Sequence, residues 1–102
     1  GKYQSDYRGD PYSRDRAYHN GTVWAWLIGP FLDAYLAVND RSPQARDQAR
    51  TWLRPLIDHL ETGCVGHISE IFDADSPHRA VGCPAQAWSI AEVLRLAVDL
   101  DM

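Results

Sequence analysis

No run of lysine or arginine occurs in this sequence of 102 residues, whose formal net charge is −4. Nucleic-acid grooves and anionic membrane surfaces bind through clustered positive charge, so neither is expected as a partner. Long apolar runs are also missing. The longest, Val23 to Val38, has 16 residues and is interrupted by Asp33 and by Gly29-Pro30. That is short of the ~20 residues needed to cross a bilayer. Cysteine is scarce, with only Cys64 and Cys83. As nothing else reads as secreted, the two are expected to be buried free thiols of a cytoplasmic protein. The polar opening does not read as a secretory leader. Gly1 in place of Met, ahead of the loop-like "GKYQSDYRGDPYSRDR", is what a piece of a longer chain would show. Glycine-rich phosphate loops, a Gly-x-Ser-x-Gly elbow around Ser69 or Ser89, internal repeats and low-complexity segments are all absent.

What the chain does have is apolar and aromatic bulk. Hydrophobic residues make up 45%, so a single globular domain at most is expected. A chain of this size buries only about 60–70% of its unfolded surface, which leaves a thin core. Four Trp and five Tyr are many for the length. Large aromatics with a polar edge line ligand sites and interfaces as well as cores.

The pattern predicts an all-α chain. Residues 1–21 read as an irregular arm, with a Gly9-Asp10-Pro11 turn and Tyr3, Tyr7, Tyr12 and Tyr18 among charges. A helix is expected over 22–39, with Thr22 as its cap and apolar residues around nearly its whole circumference, so that neighbours should enclose it. Pro30 should bend it. Ser42-Pro43 is a helix start, and the helix over 43–62 should be amphipathic, with Trp52, Leu53, Leu56, Ile57 and Leu60 on one stripe. Gly63 is a natural stop, and Pro55 should kink this helix. A last helix is expected over 84–100, with Ala87, Ile90, Ala91, Leu94, Ala97 and Val98 at helical spacing. The loop between, 63–83, is long for a helix–helix connection and too apolar for simple disorder.

That loop carries the chemistry. Glu70 lies among Ile68, Ile71 and Phe72, a setting that can tune a carboxyl for acid–base work, although a solvent-facing Glu between inward apolar residues has the same spacing. Asp73, Asp75, Ser76 and His78 lack the central Gly and closing Glu of a calcium loop and read as a turn. Cys64, His67, His78 and Cys83 include one Cys-x2-His pair but no second pair to complete a zinc site. No cofactor is therefore expected. Trp24 and Trp26, two apart at an expected helix start, should point in different directions. With Trp88, and with His19, Asn20, Gln86 and Glu70 nearby, they would suit a sugar ring; on periodicity alone they would serve equally as core.

Three stretches carry a resemblance. "RDRAYHNGTVWAWLIGPFLDAYL" (Arg14 to Leu36), "GHISEIFDADSPHRAVGC" (Gly66 to Cys83) and "AQAWSIAEVLR" (Ala85 to Arg95) resemble the closing segment of the amylo-α-1,6-glucosidase family, the glucosidase module of glycogen-debranching enzymes. The likeness runs from Tyr7 to Leu100 and is weak only at 39–62. It implies a fragment of an (α/α)6 toroid or barrel, with the first and third helices in the inner ring and the second in the outer ring. It implies hydrolysis of α-1,6 glucosyl branch stubs with inversion, acting on glycogen or an α-glucan oligosaccharide. By resemblance Glu70 is the general base, while His19, Thr22, Trp24, Trp26, Gln86 and Trp88 belong to the glucose pocket. Ala25 stands where the family commonly has Pro. No residue here corresponds to the general acid; Asp15 and Asp33 match no motif for it. The isolated chain should then be inactive and should self-associate or need the rest of its barrel. Two alternatives remain: a segment of another (α/α)6 glycosidase, such as a trehalase or glucoamylase relative, and a non-catalytic helical sugar-binding or interaction module.

Overall fold

The computed structural model describes residues 2–102. Among them are four α-helices: α1 (Pro11–Tyr18), α2 (Ile28–Val38), α3 (Pro43–Thr62) and α4 (Ala87–Asp99). Three two-residue strands accompany them: β1 (Val23–Trp24), β2 (Ile71–Phe72) and β3 (Ala80–Val81). The chain is mostly helical rather than all-α, because the segments expected as helix start and open loop pair with each other. β2 is the central strand, antiparallel to both neighbours, with Trp24 opposite Ile71 and Ile71 opposite Val81. Strands of two residues are too short to display a period in the sequence.

The first 21 residues are not all irregular. Pro11 occupies the first helical position of α1, and the Asp10 carboxylate accepts from the Ser13 amide at 2.8 Å, a capped start that the turn reading overlooked. Thr22 does not cap a helix. Its hydroxyl donates to the carbonyls of Tyr18 (2.8 Å) and Ala17 (3.3 Å), closing the end of α1. The chain then extends through Val23 and Trp24, residues that favour a pleated surface, makes a 3₁₀ turn at Ala25–Leu27, and enters α2 only at Ile28. Pro30 consequently falls in the first turn of α2. There its missing N–H takes nothing from the helix, so the expected bend has no cause.

α3 is the element that local signals describe best. Ser42 Oγ accepts from the Ala45 amide at 3.3 Å, Pro43 opens the helix, and the Gly63 amide closes on the His59 carbonyl at 3.0 Å. Pro55 lies in its interior. The core forms where α2, α3 and α4 meet: Leu32 and Leu36, then Ala45, Ala49 and Leu53, then Val93, Leu96 and Leu100, with Ile68 of the loop closing it. The two alanines let α3 approach closely, since they add no bulk at the contact.

The stripe that α4 buries is Ser89, Val93 and Leu96, continued by Leu100; of the stripe read from the sequence, Ile90 and Ala97 pack partly buried at its edge, while Ala87 and Ala91 are exposed. Leu94 and Val98 are 62% and 71% exposed. α2 and the 3₁₀ turn before it are likewise covered on one side only, with Leu27, Phe31 and Val38 open. Both helices are apolar on two faces, so periodicity had no means of choosing between them. Cys64 and Cys83 are exposed, not buried; both lie in turns outside the helical core. Among the described residues, no helix is long and apolar enough to cross a membrane.

Candidate active site

Glu70 stands one residue before β2 and continues the sheet. Its amide donates to the Cys83 carbonyl at 2.9 Å, and its carbonyl accepts from the Ala25 amide at 3.4 Å. Ile68 and Ser69 just before it are buried. The Gln86 amide donates to the Ile68 carbonyl at 3.0 Å, so the approach to α4 is bound to the same platform. With the backbone held on both sides, the half-buried side chain has little choice of direction.

Three donors meet that carboxylate. The Tyr18 hydroxyl donates to Oε1, as does Gln86 Nε2 at 3.3 Å, and the Cys83 amide donates to Oε2 at 3.2 Å. Burial, then the hydrogen bond to Glu70 and its negative charge, push the Tyr18 phenol up to about 12, so it stays a donor at neutral pH. Gly82 has φ +72°, a conformation that L side chains avoid, and a Cβ there would lie 2.7 Å from Glu70 Oε2. Glycine thus leaves room for the carboxylate.

On one side Glu70 opens on a cavity of about 580 Å³, walled by Trp24, Trp26 and Trp88 with His19, Tyr18, Leu27 and Gln86. The rings are ordered against one another. His19 stacks flat on Trp24 at 5.0 Å, Trp24 meets Trp88 edge-on at 6.5 Å, and Trp26 lies 5.9 Å from Trp88. The Trp24 indole N–H donates to the Tyr18 carbonyl at 2.9 Å. Trp24 and Trp26 were expected to diverge, as they would at a helix start. They share one wall because a strand and a 3₁₀ turn, not an α-helix, carry them. On the other side, Glu70, Tyr18 and Gly82 border a polar cavity of about 410 Å³ with Tyr7, Arg14, Asp15 and Cys83.

A larger groove of about 850 Å³ lies beyond β1, lined mostly by apolar residues such as Val23, Leu27, Ile28, Leu56 and Phe72, and Glu70 does not reach it. Thr22 borders that groove and not the tryptophan cavity. Of the residues singled out in the sequence, Glu70, His19, Trp24, Trp26, Gln86 and Trp88 therefore converge, while Thr22 stands behind them. Asp33 is held by Arg95 through contacts of 3.1 and 2.8 Å on the outer surface of α2 and α4. Tyr18 reads in the sequence only as one of the tyrosines of the N-terminal arm, not as a site residue. The available signal was its place directly before His19, at the head of the aromatic stretch. Among the described residues, no three His, Cys, Asp or Glu side chains gather as metal ligands.

The arrangement sets flat indole faces beside a carboxylate, an amide and an imidazole, groups able to stack on an apolar ring face and to hydrogen-bond hydroxyls. Comparison with known proteins identifies the family. The model of the amylo-alpha-1,6-glucosidase family matches residues 1–95. The glycogen debranching enzyme of Saccharomyces cerevisiae is 30% identical over 123 aligned residues, which cover 94% of this chain. The chain belongs to the amylo-alpha-1,6-glucosidase family. It spans 8% of the length of that yeast relative. No solved structure matches it.

Proposed function

We propose that this chain is the closing part, residues 1–102, of a glycoside hydrolase module that removes α-1,6 glucosyl stubs from glycogen or a related α-glucan, with inversion. The observation that carries the reading is the Glu70 carboxylate at the edge of a cavity walled by three tryptophans, in a chain of this family. Glu70 is the general base. It takes a proton from a water whose oxygen attacks the anomeric carbon, while the glycosidic bond breaks and a general acid protonates the departing oxygen. Inverting enzymes hold the two carboxyls roughly 6.5–9.5 Å apart to admit that water. The acid is assigned to the remainder of the module, since the reading gives neither Asp15 nor Asp33 that role.

Trp24, Trp26 and Trp88 stack on the terminal glucose, and His19 and Gln86 meet its hydroxyls. Thr22 acts from behind, by holding the entry to β1. The architecture is a piece of an (α/α)6 toroid, with α2 and α4 in the inner ring and α3 in the outer one. The exposed Leu27, Phe31, Leu94 and Val98 support this, because a helix apolar on two faces needs neighbours on both. The partners are then the α-glucan and the rest of the barrel. The chain on its own is inactive and either self-associates or needs the rest of its barrel, the reaction needs no cofactor, and the setting is cytoplasmic.

The test is Glu70→Gln in the full-length protein that carries this chain, read as glucose released from branched limit dextrin. A loss of about 10²–10⁴-fold is expected for removal of a general base. Ordinary activity in that variant would overturn the assignment.

A further inference from the structure

We infer that Tyr18 is the positioning residue of the base: together with Gln86 it occupies Oε1 of Glu70, and so leaves Oε2 as the oxygen that accepts the proton from water. The inference rests on the reading of Glu70 as the base and deepens it. An ionised carboxylate offers about four acceptor sites, two on each oxygen. Oε1 receives the Tyr18 hydroxyl and the Gln86 amide, which fills it. Oε2 receives only the Cys83 amide, so one site stays open there. Gly82 keeps the space beside Oε2 free of a side chain.

Tyr18 is itself firmly held, which a positioning residue must be. It is the last residue of α1, and its carbonyl accepts both the Trp24 indole N–H (2.9 Å) and the Thr22 hydroxyl (2.8 Å). Its ring meets Trp24 edge-on at 4.6 Å. One residue thereby ties the base to the wall against which glucose would stack, and sets the distance between them. Its phenol remains protonated at working pH, being pushed up to about 12. The other titratable groups bordering the two cavities around Glu70 are His19 on the tryptophan side, and Tyr7, Arg14, Asp15 and Cys83 on the polar side.

Tyr18→Phe in the full-length protein tests this, as it removes one oxygen and keeps the ring contacts. The expected result is a kcat about ten- to a hundredfold lower, the range set by a hydrogen bond to a charged group, with KM for the branch stub changed little. Tyr18→Phe added to Glu70→Gln should cost little further activity, because no carboxylate base remains to be positioned. An unchanged kcat, a rise in KM alone, or a loss of kcat just as large in the Glu70→Gln background would each overturn the inference; the second would make Tyr18 a substrate contact and the third a packing residue. Glu70→Ala run in parallel separates the two levels. If it abolishes activity while Tyr18→Phe behaves as wild type, only the positioning role fails. If Glu70→Ala stays active, the reading of Glu70 as base fails first.

Discussion

The two ends of β2 hold carboxylates only three residues apart, and the molecule surrounds them in opposite ways. Asp73, just after the strand, is 2% exposed and accepts from the Tyr7 amide at 2.7 Å and the Arg79 guanidinium at 3.0 Å. Burial would raise its proton affinity, but the Tyr7 amide and Arg79 outweigh burial and hold the carboxyl below the usual carboxylate range. It is a clasp: with the Ala74 amide on the Ser5 carbonyl and the Gln4 amide on the Asn20 carbonyl, it sews the N-terminal arm to the sheet. Glu70, just before the strand, receives only neutral donors and borders open space on both sides. A carboxylate locked to a cation and an amide builds structure. One held by neutral donors keeps an acceptor site open to whatever enters the cavity.

The sharpest way to break the contrast is to neutralise each acid in turn. Glu70→Gln should remove activity, as above, with little change in the unfolding midpoint. Asp73→Ala should do the reverse: it strips the partly buried Tyr7 amide and Arg79 of their acceptor and costs about 1–3 kcal/mol, measurable by urea denaturation of the same protein. Equal losses of stability in the two variants would erase the distinction.

Gly82→Ala comes next. A side chain at φ +72° costs about 1–2 kcal/mol and would press on Glu70 Oε2 and on Ile71, so activity should fall together with stability. Full activity in that variant would show that the carboxylate does not need the space. The pH dependence separates the acids further. Because the folded-state affinity of Asp73 for a proton is lowered, its contribution is present above the ordinary aspartate range and fades as pH falls through and below it. The stability gap between wild type and Asp73→Ala should therefore close on acidification.

The smallest effect is spectroscopic. Tyr18 is raised, so the stability it lends is complete below the ordinary tyrosine range, near 10, and is lost as pH climbs toward about 12. Ultraviolet titration should find one phenol ionising near that upper value, and Glu70→Gln should bring it down, since the carboxylate is among the causes of its elevation. A Tyr18 that titrates alike in both proteins would sever the link between the phenol and that carboxylate.

Legibility followed range. α3 was readable almost to the residue, because Ser42, Pro43 and Gly63 act on their own neighbours. The tryptophan-and-acid set was recognisable from three motifs, and six of its seven members border or reach one cavity. The sheet was not readable. β1 and β2 are separated by more than forty positions, and β2 is the only strand that β1 pairs with among the described residues. The capped start of α1 was locally encoded but masked by a polar face that buries only Ala17. The choice of buried stripe on α4 was invisible for a different reason: both stripes are apolar, and only the position of α2 and α3 selects between them.

Composition and spacing alone were enough to indicate a helical chain without a membrane span, the stretch bearing its carboxylate, and its aromatic company, for these rest on residue type and on contacts a few positions apart. Packing was needed to settle how the donors divide between the two oxygens of Glu70, that Tyr18 is one of them, and that Asp73 belongs to the scaffold. Those outcomes depend on partners 52 and 66 positions away. Contacts of that span arise when the chain closes on itself, and no local propensity announces them.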